Sequence, residues 1–136
     1  MSTSSPTQAT RLFARVLGPY FVIAMAVYAA KAPDLPMLLK SFDSDPLLPW
    51  TTGAFTLITG LVIVALHQVW SGTAAIIITV TGWLTVLKGV VILGFPSVYD
   101  TLADSITDAT AVIMAQAFVV GGIGLYLTYI GWLRRD

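Results

Sequence analysis

Cysteine is absent from this sequence of 136 residues, and histidine occurs once. The first absence excludes disulfides, thiolate metal sites and thiol redox chemistry. The second excludes multi-histidine metal centres and bis-histidine haem within one chain. Charge is scarce as well: 10% of residues are Asp, Glu, Lys or Arg, against about 25% in soluble domains. The net charge is zero, which removes the usual ground for a nucleic-acid partner. What is present is apolar, 57% hydrophobic residues with a mean hydropathy of +0.85. Such a chain cannot clothe a globule in polar surface, and its natural solvent is the lipid bilayer.

Charge gaps mark the membrane spans. No charged residue lies between Arg15 and Lys31, none from Pro46 to Leu87, and none from Ala109 to Leu133. A helix needs about 20 apolar residues to cross a bilayer core of about 30 Å. The gaps predict an all-α bundle of four transmembrane helices, at about 12–30, 48–69, 73–95 and 109–133. The stretch "HQVWSGT" (67–73) divides the long middle gap with a tight interfacial turn. Residues 1–10 read as a polar tail and 11–136 as one four-helix domain. The first span has basic flanks and an "AKA" pattern at 30–32, features of a signal peptide. Pro33 would block cleavage after that pattern, so an uncleaved span is expected.

An even number of spans puts Arg11, Arg15, Arg134 and Arg135 on one side. Lys31 and Lys40 fall on the other, among Asp34, Asp43, Asp45, Asp100, Asp104 and Asp108. The positive-inside rule then predicts both termini inside and an acidic outer face. In the first outer loop (31–50) Asp34 suits a helix cap and Pro36 its first turn, with Leu35, Met37, Leu38, Leu39 and Phe42 forming an apolar side. A short interfacial helix is expected there, and a similar one at 97–106.

Small residues recur along the spans. Ala117, Gly121, Gly124, Thr128 and Gly131 make one seam on the fourth span, with Gly53 and Gly60 on the second and Gly82 and Gly89 on the third. Lipid offers no hydrophobic drive between helices, so close backbone contact along such seams is a main source of association. Packing within the chain is the plain expectation. The alternative is that the fourth span's seam faces another subunit.

One cation lies inside a span. Lys88 stands about seven residues, roughly 10 Å, from the outer end of the third span, and a lysine at a span centre costs about 2.5–3.5 kcal/mol. Thr81, Thr85 and Lys88 share a helix face, Thr56 lies on the second span, and Gln116 of the fourth is at the depth of Lys88. With Asp108 above, these residues predict a polar cluster in the outer half of the bundle. It serves helix register through a Lys88 pair with Gln116 or an aspartate, lines a cavity for an anion, proton or headgroup, or meets a partner's acidic group. His67, near the inner interface, is expected to be solvated, with ligation of a pigment or haem as the alternative.

No carboxylate lies within the second, third or fourth span. There is no Ser/His/Asp arrangement, paired carboxylate, metal-ligand cluster or phosphate-cradling loop. No catalysis, cofactor or metal is therefore expected. The stretch from "HQVWSGT" to "TVTGWLTVLKGVVILGFP" resembles a pattern of small uncharacterised bacterial integral membrane proteins, carried by His67, Trp70, Trp83, Lys88, Gly89, Phe95 and Pro96. The resemblance implies a bacterial inner membrane and carries no activity with it. The leading expectation is a non-catalytic accessory or structural subunit, packed in the bilayer against a larger complex or copies of itself. The alternative is a homo-oligomeric channel or carrier for a small anion or solute, selective at Lys88.

Overall fold

A computed structural model describes residues 7–107 and 110–134. Six helices follow in order: α1 Gln8–Ala30, α2 Leu35–Ser44, α3 Leu47–Leu66, α4 Thr73–Gly94, α5 Pro96–Thr107 and α6 Thr110–Thr128. A 3-10 turn, Ala32–Asp34, leads into α2, and a π-helical turn, Tyr129–Leu133, ends α6. Among the described residues there is no strand. Helices α1, α3, α4 and α6 with its π turn are long and apolar enough to cross a bilayer. The protein is a multi-pass membrane protein built as a bundle of these four. Large side chains such as Phe55, Leu84 and Phe118 face outward, as a lipid solvent allows.

The four long helices form two antiparallel pairs, α3 with α4 and α1 with α6. Glycine sets both. A Cβ built on Gly60 lies 2.5 Å from the Val86 backbone nitrogen, and one on Gly89 lies 2.5 Å from that of Leu57. In the other pair, Gly124 abuts Phe21 and the Gly18 carbonyl, and Gly131 abuts the backbone of Arg15. The backbones therefore touch, as dispersion-driven packing in lipid requires.

The pairs meet in a buried cluster toward one end. The buried cluster joining them is Ala14 and Leu17 of α1, Ile63 of α3, Ala74 and Ile78 of α4, with Leu127 and Ile130 at the end of the last span. All lie toward the end that carries the chain termini and the turn at 67–72, here called the terminus end. At the opposite, loop end the pairs part, and α2 and α5 lie across the opening.

Several boundaries differ from expectation. Helix α1 begins at Gln8, inside the expected polar tail, because the Thr7 side chain accepts the Thr10 backbone N–H and caps it. Helix α3 stops at Leu66, where His67 turns extended (φ −140°, ψ 98°). Gly72, at φ +92°, starts α4 in a conformation that glycine alone adopts freely. Helix α2 forms where an interfacial helix was expected, but Asp34 makes no capping bond. The preceding 3-10 turn holds Asp34 in helical geometry (φ −93°, ψ −9°), whereas a capping side chain needs an extended backbone to reach back.

Arg15 and Arg11 meet the end of the last span. Arg15 Nε donates to the Gly131 carbonyl at 2.7 Å and a guanidinium nitrogen of Arg11 to the Arg134 carbonyl at 2.8 Å. The indole of Trp132 lies 5.7 Å from the Arg15 guanidinium and donates to the Arg15 carbonyl at 3.1 Å. Cations are thus held where a helix leaves carbonyls unpaired and its dipole is negative.

Candidate functional site

Two polar places stand out, one at each end of the bundle. At the terminus end, His67 is 1% exposed, not solvated as expected. Its Nδ1 lies 3.0 Å from Thr79 Oγ1 and its Nε2 lies 2.9 Å from Thr10 Oγ1. Thr79 Oγ1 donates to the Val69 carbonyl at 2.9 Å. Its one proton is used there, so it accepts from Nδ1–H. In the neutral ring Nε2 is then the acceptor and takes the Thr10 hydroxyl proton. Thr10 Oγ1 in turn lies 2.8 Å from Thr7 Oγ1 and accepts from it. Phe13 packs edge-on against the imidazole, with centroids 5.5 Å apart.

This chain of hydroxyls ties α1, the 67–72 turn and α4 together. Protonating the ring would place a charge among buried groups and reverse the Thr10 bond. Burial accordingly lowers the His67 pKa from 6.5, against a smaller rise from a backbone hydrogen bond. Both ring nitrogens are engaged, which leaves none facing a metal or pigment. Among the described residues no group of three His, Cys, Asp or Glu is placed to hold a metal ion.

At the loop end a cavity of about 530 Å³ separates the pairs. Lys88, Gln116, Tyr28 and Tyr99 supply its polar atoms, and its remaining lining is apolar, chiefly leucines of α2, α4 and α5. Lys88 and Gln116, expected at one depth, do line one cavity. The hydroxyl of Tyr28 donates to Gln116 Oε1 at 3.4 Å. Lys88 is exposed, and its ammonium has no acceptor within hydrogen-bond or ion-pair distance among the described residues. The expected Lys88–Gln116 pair is therefore not formed.

The threonines expected in this cluster are not part of the lining. Thr85 Oγ1 donates to the Thr81 carbonyl at 2.7 Å within α4, and neither Thr81 nor Thr56 lines the cavity. Asp108 lies outside the described residues. Tyr28, Thr10 and Thr79 were not singled out from the sequence, although Tyr28 stands close to the outer end of its span.

The seam residues divide. Gly53, Gly60, Gly82 and Gly89 lie between α3 and α4, while Gly124, Thr128 and Gly131 lie against α1. Ala117 and Gly121 instead line a shallow apolar crevice of about 420 Å³ between α1 and α6, with Ala26, Ala29 and Gly122. Comparison with protein-family models, curated proteins and solved structures finds no match.

Proposed function

We propose that this chain is a small non-catalytic integral membrane protein, an accessory or structural subunit that packs against a larger membrane assembly or copies of itself. Its membrane would be the bacterial inner membrane, with both termini inside, a placement supported by the resemblance of residues 67–96 and by Arg11, Arg15, Arg134 and Arg135. The observation that carries the reading is the crevice at Ala117 and Gly121. There the small-residue seam of α6 stands apart from α1 across an open crevice, and nothing lies within 4 Å of a Cβ built on Gly122. Small residues on both walls let another helix approach closely, the main route to association in lipid.

The test is the native mass of the protein extracted in mild detergent. A stoichiometric larger complex or a defined homo-oligomer is expected, lost in Gly121→Leu, whose added side chain fills the crevice. A monomer from the unaltered chain overturns the reading.

A second reading, a homo-oligomeric channel or carrier for a small anion or solute, is favoured by Lys88, which has no partner among the described residues. The buried cluster at the terminus end blocks a path through a single chain, so conduction would need an opening between subunits or a moving core. Solute flux in vesicles that is abolished by Lys88→Met supports this reading. Flux that survives the change ends the role of Lys88 in it.

A further inference from the structure

We propose that the loop-end cavity is a binding site for an anionic phospholipid, its phosphate held by Lys88 and an acyl chain laid along the leucine walls. The inference does not rest on the accessory-subunit reading. Three observations carry it.

The first is charge. Lys88 is a cation within the hydrophobic length of α4, and its ammonium has no acceptor among the described residues. An intramembrane charge without a partner costs free energy that a counter-ion removes. A monoanionic headgroup neutralises it one for one.

The second is depth. Lys88 precedes Gly94, the last residue of α4, by about 9 Å along the helix axis. A lysine stem extends outward far enough to bring the ammonium close to that helix end, where phospholipid phosphates and glycerol esters lie. A water-soluble anion would have to pass beneath α2 and α5. A lipid already occupies the level.

The third is the shape and lining of the site. Leu84 and Leu87 line the cavity yet are 61% and 60% exposed, so the mouth opens sideways to the bilayer. The polar groups are few, Lys88, Tyr28, Gln116 and Tyr99, in a wall that is otherwise Met25, Leu35, Leu39, Leu84 and similar side chains. A few polar groups in an apolar wall match a ligand with one polar head and a hydrocarbon tail. Tyr28 can turn its hydroxyl from Gln116, a long bond at 3.4 Å, to a phosphate oxygen. An ionic hydrogen bond is the stronger of the two.

The experiment is native mass spectrometry of the full chain in detergent, titrated with three probes: a phosphatidylglycerol, the diacylglycerol with the same acyl chains, and inorganic phosphate. Expected is a one-to-one adduct with phosphatidylglycerol, favoured roughly tenfold or more over the diacylglycerol, and no adduct with phosphate alone. Lys88→Met should erase that preference and Lys88→Arg should keep it. Thermal unfolding of the same samples provides a second readout, with phosphatidylglycerol raising the midpoint of the unaltered chain and of Lys88→Arg but not of Lys88→Met. Equal binding of the two lipids, an unchanged preference in Lys88→Met, or an adduct with free phosphate overturns the proposal.

Discussion

At the scale of single residues, His67 shows how a bilayer protein places a polar ring. The imidazole gives one proton to Thr79 and accepts one from Thr10, so every ring atom that needs a partner has one. Removing it takes the acceptor from the Thr10 hydroxyl and opens a void beneath Phe13. His67→Ala is expected to cost about 2–4 kcal/mol, the range for a lost buried hydrogen-bonded group plus its cavity. Thr79→Val, which keeps the volume but strands Nδ1–H, should cost about 1–3 kcal/mol. Denaturant or thermal unfolding in detergent measures both. A cost under half a kcal/mol for His67→Ala would show the network to be ornamental.

The same ring makes stability depend on pH, with a definite sign. Burial lowers its pKa from 6.5, so just below pH 6.5 the unfolded chain binds a proton that the folded chain does not. Stability rises with pH wherever the unfolded state binds more protons. The contribution of His67 is thus fully present above about pH 6.5 and is lost as the pH falls toward the lowered value. Between about pH 7.5 and 5.5, above the usual carboxylate range, the unfolding midpoint should fall on acidification, and His67→Phe should flatten that slope. An equal slope in both proteins would remove His67 as its source.

At the scale of elements, the glycine contacts determine which helix packs on which. Gly60 and Gly89 each bring a backbone of the α3–α4 pair within reach of the other, and neither site has room to yield, because the atoms met are main chain. Gly89→Leu should therefore force the pair apart and destabilise the fold by at least the 1–3 kcal/mol typical of overpacking. Gly94→Leu, where nothing lies within 4 Å, should be nearly neutral. A comparison of the two by thermal unfolding tests whether close approach, and not helix propensity, is what glycine provides, since propensity alone favours leucine at both positions.

Helices were also the most legible level of the sequence. The uncharged gaps located all four spans because lipid penalises charge wherever a helix crosses it. Counting residues from the span ends placed Lys88 and Gln116 at one depth, and they do line one cavity. The threonines misled for a physical reason: in an apolar helix a threonine hydroxyl is satisfied by its own turn, as Thr85 is by Thr81 and Thr59 by Phe55. His67 was illegible because its partner Thr10 is 57 residues away, and no periodicity links a helix start to a distant turn. The stop of α3 at Leu66 follows from that pairing and was hidden with it.

At the scale of the whole molecule, the asymmetry between the two ends matters most. The terminus end holds the buried cluster, the histidine network and the arginine contacts to the last carbonyls. The loop end holds a cavity, roofed by two short helices. Packed cores have few alternative arrangements, while helices that part over a cavity are held there by the short helices across it and by fewer buried side chains, among them Ile92 and Ile113. The two pairs should therefore hinge about the terminus end. Since the chain lacks cysteine, spin labels can be introduced without background. Labels on Val16 and Val80, exposed positions of α1 and α4 near the terminus end, should give a narrow distance distribution by pulsed electron resonance. Labels on Val27 and Val90, exposed positions nearer the loop end, should give a broader one. If the cavity takes an anionic lipid, phosphatidylglycerol should narrow the second distribution and leave the first alone. Equal widths at the two ends without lipid would mean that the loop end is as restrained as the core, and the hinge would have to be abandoned.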